Sequence, residues 1–361
     1  MTYLILGCGG YLGSHLLDRL LNVKVNRIIG WDLNHSRIAD HIQHSNFIFH
    51  EQDLNNEDAL HDLASAIRNS DIVIHLAAIC NPSEYNKRPI EVIYANFINT
   101  YKVVELCAKY SKWLIFFSTS EVYGRTISSY LKDNTYNDES LYVLNEYTTP
   151  LIMGPISNQR WSYACAKQLM ERFIYAHHKE YDMPFTIIRP LNAFGPRMDY
   201  IPGIDGEGIP RVLACFINAL MRREPLMLVD GGNARRTIIS IYDTLDAIEL
   251  ILKNPQQSQN EIFNIGNDKN EVTIKELAEK MRDIYAEVSG DSSYKTHPIQ
   301  SMPSDEFYGE GYEDCDRRMP CLDKAREKLG WEPKIPLDDI LRETIISYRR
   351  SYLDNNNINW N

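Results

Sequence analysis

Positive charge is what this 361-residue chain is short of: 38 lysines and arginines stand against 49 aspartates and glutamates, a formal net charge of −11. Recognition of a phosphate backbone needs a basic surface, and no lysine/arginine run occurs, so nucleic acid is excluded as a partner. Long apolar runs are missing too, since nothing approaches the roughly 20 apolar residues that span a bilayer. Met1-Thr2 leads into the short apolar run 3–6 without a basic region or a cleavage site. The expectation is a cytoplasmic protein with no membrane partner. The seven cysteines (Cys8, Cys80, Cys107, Cys165, Cys215, Cys315, Cys321) are odd in number, scattered and never spaced C-x-x-C, which predicts reduced thiols. No His/Cys/Asp/Glu grouping has metal-ligand spacing, so no metal is expected.

What is present is the patterning of a soluble globular protein, with 44% hydrophobic and 24% charged residues. Strand-like runs alternate with helical ones: 3–6, helix 11–21; 27–31, helix 35–41; 46–49, helix 57–67; 72–76, helix 90–110; 114–117, helix 163–178; 185–188. Such alternation predicts an α/β fold, a doubly wound parallel (Rossmann) sheet with helices on both faces. Beyond it the chain turns to Pro- and Gly-containing stretches such as 198–210, short helices such as 273–285, and the polar segment 289–314. We expect a nucleotide-binding domain over 1–190 with part of 236–265, and a smaller C-terminal substrate lobe over 191–235 and 266–355.

The turn Gly7-Cys8-Gly9-Gly10-Tyr11-Leu12-Gly13 follows the first strand and opens the first helix, with Asp32 about 20 residues on at the end of the second strand. Gly7 would allow the tight turn, Gly10 the approach of backbone to a pyrophosphate at the helix N-terminus, and Gly13 the packing of helix on sheet. Asp32 would accept hydrogen bonds from adenosine ribose hydroxyls and repel a 2′-phosphate, which favours NAD over NADP, with Arg37 the feature that would accommodate the latter. Asp53-Leu54 after the third strand is either an adenine contact or an ordinary turn. Leu76-Ala77-Ala78 after the fourth strand would let the cofactor pass close, and Asn96 is placed with the same group.

Tyr163-x-x-x-Lys167 puts a cation one helical turn from a phenol, an arrangement that lowers a tyrosine pKa and makes it a base near neutral pH. In a chain with 22 tyrosines the spacing alone is weak, and Tyr175–Lys179 fits it as well. Context selects Tyr163, at the start of the helix, where it can face Ser120 at the C-terminal end of the fifth strand. Ser120 would hydrogen-bond the oxygen that becomes a carbonyl.

Together these residues resemble the extended short-chain dehydrogenase/reductases across nearly the whole chain. Thr119-Ser120-Glu121, Arg160, Asn192 in RPLNAFGPR, and Tyr312 through Arg318 resemble UDP-glucuronic acid decarboxylases. LAAICNPSEYNKRP, QRWSYACAKQLMER and MDYIPGIDGEGIPRVLACF are similar to plant UDP-apiose/UDP-xylose synthases. The resemblance implies NAD as cofactor, a UDP-sugar (UDP-glucuronate) as substrate, and a homodimer. It implies hydride removal from C4, loss of the C5 carboxylate from the resulting β-keto acid, and Glu121 and Arg318 acting at decarboxylation and reprotonation. Arg211 and Arg236 would meet the diphosphate and the segment around Met227 the nucleotide; Thr119, Arg160, Asn192 and Tyr312 would hold sugar or phosphate oxygens, and Tyr85 would lie beside the ring or in the core.

The chain departs from those relatives twice. They carry cysteines at the positions of Cys80 and Ser120, both linked to ring contraction, and this chain keeps only Cys80; they carry a lysine where it has Met227. UDP-apiose, UDP-xylose and a UDP-4-keto-pentose all remain open as products. A nucleotide-sugar 4-epimerase, dehydratase or branched-sugar synthase is the alternative enzyme, and a silent NAD-binding scaffold the alternative of another class.

Overall fold

The structure, a computed structural model, describes residues 1–24, 26–131, 138–206, 208–308, 313 and 315–353. Seven strands, β1 (Thr2–Leu6), β2 (Arg27–Asp32), β3 (Phe47–Glu51), β4 (Ile72–His75), β5 (Trp113–Phe117), β6 (Phe185–Pro190) and β7 (Glu261–Ile265), form one parallel sheet in the order β7-β6-β5-β4-β1-β2-β3. β4 and β5 are buried along their whole length, as their unbroken apolar sequences require when helices cover both faces. The helices Tyr11–Leu21 and Ile241–Lys253 cover one face. Leu60–Asn69, Asn99–Lys109 and Ser162–Tyr181 cover the other. The doubly wound fold expected from the alternation is the fold observed.

The differences are local. The expected helix 35–41 is a 3-10 turn, Ser36–His41. The expected helix 90–110 is a composite of Pro89–Ile93, a π-helical turn Tyr94–Ile98 and Asn99–Lys109. β7 was not foreseen, because it reaches its parallel partner β6 only after the chain has left the sheet and returned.

A second core gathers Val212–Arg222, Ile274–Ser289 and Leu337–Tyr348 around the short parallel pair Leu226–Val229 and Ile299–Met302. Tyr11 packs against both this core and the first. Strand order reverses between β1 and β4, and a crevice forms there at the carboxyl ends of the strands. Among the described residues no helix is long and apolar enough to cross a membrane.

Candidate active site

A cavity of about 750 Å³ fills that crevice. One wall is the glycine turn, with Gly7, Gly10, Tyr11, Leu12 and Gly13 on the surface. Gly7 has φ +91°, and a Cβ there would stand 2.6 Å from the Ala77 nitrogen, so the strand end and the turn touch only because both are small. Gly9, which sequence reasoning passed over, is equally constrained: a Cβ would meet the Asn34 carbonyl oxygen at 2.1 Å. Its N–H donates to Asp32 Oδ2 at 2.8 Å. The helix Tyr11–Leu21 begins with no acidic residue in its first turn and no side-chain cap, so its leading N–H groups face the cavity as an anion site. These residues therefore fit a dinucleotide pyrophosphate.

Asp32 sits at the end of β2, set back from the cavity wall, where its Oδ1 accepts from the Leu33 N–H at 2.7 Å. Burial pushes its carboxyl up, and the backbone N–H groups of Gly9 and Leu33 pull against that. Leu76 and Ala78 line the cavity. Three other expected cofactor residues stand away from it. Asp53 is exposed and caps the Asn55 N–H at 2.8 Å, the ordinary turn role. Leu54 packs against the helical core. Asn96 is buried and donates to the carbonyls of Ile79 (3.0 Å) and Val92 (2.8 Å), holding the loop that leads to Cys80.

Tyr163 and Lys167 rise from the first turns of the Ser162–Tyr181 helix, opposite Thr119, Ser120 and Glu121 on the turn that ends β5, and all five line the cavity. The Thr119 hydroxyl accepts from the Glu121 N–H at 3.1 Å and shapes this turn. Tyr175 is 45% exposed further along the helix, with Lys179 lying over its ring at 5.4 Å, a surface pair.

Burial pushes the Tyr163 phenol well up, with Cys80 and Glu121 adding to it and Thr119 and Arg211 pulling back. Lys167 donates to the Phe117 carbonyl at 2.9 Å, and burial pushes its ammonium down to about 8. The enclosed cation has taken the carbonyl within its reach.

Tyr85 stacks face to face on Tyr163, with ring centroids 4.9 Å apart and an interplanar angle of 11°. Of the two readings left open for Tyr85, the residue combines both: it is 2% exposed and it lines the cavity. Glu121 is held between two guanidinium groups, Arg160 at 2.6 Å and Arg318 at 2.5 Å. Burial pushes the Glu121 carboxyl up, but the two cations more than reverse this and hold it well below the ordinary range. Arg160 is on the cavity wall; Arg318, on the strand Arg317–Pro320, stands behind Glu121 and also donates to the Gly124 carbonyl at 3.1 Å.

Asn192, Arg211, Met227 and Arg236 line the far end, and the exposed Cys80 thiol lies on the loop above Tyr85. Arg211 is paired to Asp199 at 3.0 Å, a partner with no local sequence signature that sequence reasoning missed. Arg236 donates to the Cys315 carbonyl at 2.7 Å. Asn192 adopts φ +46° and donates to the Thr237 carbonyl at 2.8 Å. Tyr312 lies outside the described residues. Among the described residues no group of three His, Cys, Asp or Glu is placed to hold a metal ion.

Residues 3–266 match the model of the NAD dependent epimerase/dehydratase family. The chain is 46% identical over 364 residues to UDP-D-apiose/UDP-D-xylose synthase 1 of Arabidopsis thaliana, covering 98% of this chain and 92% of that protein. It is 46% identical over 362 residues to UDP-D-apiose/UDP-D-xylose synthase of Oryza sativa subsp. japonica, covering 98% and 90%. Among solved structures, the PbgP3 protein from Burkholderia pseudomallei superposes with a TM-score of 0.81 at 31% identity, covering 97% of this chain and 96% of that one.

Proposed function

The chain belongs to the NAD-dependent epimerase/dehydratase family, and from that premise we propose that it oxidises UDP-glucuronate at C4 and decarboxylates it, giving UDP-apiose, UDP-xylose or UDP-4-keto-pentose. The observation that carries this reading is the Arg160–Glu121–Arg318 array beside Tyr163. Arg160 presents a guanidinium on the cavity wall near Tyr163, a cation that a uronate carboxylate can meet and that a neutral hexose has no group to match.

NAD, when bound, accepts the C4 hydride and can return it to the pentose. The glycine turn and the open helix N-terminus would hold its pyrophosphate, and Asp32 would face its adenosine ribose. Tyr163 would take the C4 hydroxyl proton, and the positive charge that NAD would bring to the site would offset the burial that keeps the phenol neutral. Ser120 and Tyr163 then donate to the C4 oxygen as electrons from the breaking C5–carboxylate bond reach it, stabilising the enolate more than the ketone. A cation paired with the departing carboxylate would stabilise the ground state. Arg160 therefore serves by orienting the uronate and Arg318 by holding Glu121 from behind, while Glu121, a like charge, favours carboxylate departure and a water gives C5 its proton.

Arg211 and Arg236 would meet the diphosphate, with Asn192 and Met227 contacting the sugar and nucleotide. The reading takes the protein as a cytoplasmic homodimer. Support for the dimer comes from Ile90, Ile93 and Tyr94 on the composite helix and Leu169 on the Ser162–Tyr181 helix, all exposed apolar side chains.

Mass analysis of the nucleotide sugar formed from UDP-glucuronate and NAD tests the proposal. A five-carbon sugar is expected. Six carbons retained in the product, or turnover confined to neutral hexoses, would point to an epimerase or dehydratase instead.

A further inference from the structure

Arg189, on β6, touches neither the cavity nor any residue assigned a role above, yet it is 3% exposed and carries a full charge. Its guanidinium makes a two-pronged pair with Glu171: Nε to Oε1 at 3.0 Å and one terminal nitrogen to Oε2 at 2.5 Å. The other terminal nitrogen donates to the Tyr123 hydroxyl at 2.8 Å and to the Glu146 carbonyl at 3.3 Å. The Tyr123 hydroxyl in turn donates to Asn264 Oδ1 on β7 at 2.9 Å.

The ends of this network lie on the two elements that carry the chemistry. Glu171 is one helical turn beyond Lys167 and two beyond Tyr163, on the same buried face of the Ser162–Tyr181 helix. Tyr123 closes the 3-10 turn that begins with Ser120 and Glu121. A planar guanidinium with donors on both sides is the side chain suited to joining two such elements at a fixed spacing. A helix that only needed burial would carry an apolar residue at this position, since a buried ion pair adds little stability over apolar packing.

We propose that Arg189 is a positioning residue: through Glu171 and Tyr123 it sets the Tyr163/Lys167 helix against the Ser120–Glu121 turn, so that proton acceptor and oxyanion donor meet the same substrate carbon. The inference rests on those residues being the catalytic groups. Removing Arg189 outright leaves Glu171 buried without its cation and threatens folding. The test therefore uses Tyr123→Phe, which deletes one hydroxyl inside a retained ring, and Arg189→Lys, which keeps the charge toward Glu171 and loses the second arm.

Both variants and their combination are compared with wild type in steady-state turnover and thermal melting. The assay uses whichever nucleotide sugar the wild type converts, so a failure of UDP-glucuronate as substrate leaves the comparison intact. The expected result is a fall in kcat of roughly 10- to 100-fold from misplacement of the reacting groups, with KM within about threefold of wild type. The double variant should be no worse than Arg189→Lys alone, because both cut one link. Unchanged kcat in either single variant, or losses in kcat that simply track the melting temperature, would overturn the proposal.

Discussion

Tyr85 lies flat against Tyr163, ring centroids 4.9 Å apart, and both rings are buried. The stack fixes the plane in which the Tyr163 phenol can turn. Tyr85→Phe, which keeps the ring, should retain most of the wild-type kcat. Tyr85→Ala removes the stack, worth about 1 kcal/mol beyond buried area, and opens a cavity beside the base; kcat should fall at least tenfold, by steady-state assay.

Tyr163→Phe should lower kcat by roughly 10²- to 10⁴-fold, the usual contribution of a positioned acid–base group, while binding of nucleotide sugar stays near wild type by calorimetry. Comparable turnover by the variant would remove Tyr163 from the mechanism.

Lys167 is 1% exposed, with its ammonium pushed down to about 8 from an ordinary value of 10.5. The folded state then binds fewer protons than the unfolded state between about pH 8 and 10.5, so this group's contribution to stability rises with pH across that window. Below it the buried cation carries its full penalty, on the order of 3 kcal/mol. Lys167→Met should therefore gain melting temperature relative to wild type at pH 7, and the gain should shrink by pH 9.5.

The Glu121 contribution also rises with pH, but it does so in the acid range and comes from a pairing that stabilises the fold. Its folded pKa lies below the unfolded carboxylate value, so its stabilising pairing is fully present above the unfolded pKa and is lost only as pH falls through the depressed value. Glu121→Gln leaves Arg160 and Arg318 facing each other without their shared anion, at a cost of about 3–5 kcal/mol. Calorimetry should show a large loss of melting temperature at pH 7 and a narrowing gap in strong acid.

Much of the site was legible because local chemistry wrote it. The glycine turn, Tyr163 with Lys167, and Ser120 with Glu121 each carry a short spacing or a motif tied to a strand end, and they converge on one cavity. What escaped were pairings between distant segments. That Arg318 pairs directly with Glu121 is visible only in the fold, and the bond from Lys167 to the Phe117 carbonyl depends on how a helix settles over β5. Asp53 and Leu54 follow β3 as the sequence indicates, Asp53 capping the Asn55 N–H and Leu54 packing on the core, which by itself does not assign them a ligand. β7 escaped for the same reason, since its pairing spans a long excursion of the chain.

Ser120 offers a hydroxyl where the resemblance to the plant synthases implies a thiol, which is more acidic and more polarisable. Ser120→Cys should raise the share of UDP-apiose relative to UDP-xylose in the product, read by proton NMR of the sugar signals. An unchanged ratio would mean that ring contraction does not depend on the group at this position.

The most direct measurement is carbon-13 NMR of UDP-glucuronate labelled at C6, incubated with NAD and either wild-type protein or Tyr163→Phe. With wild type, the label should leave the sugar and appear as carbon dioxide and bicarbonate, and with the variant it should stay at C6. Label retained on the sugar by active wild-type protein would contradict decarboxylation as the reaction of this site.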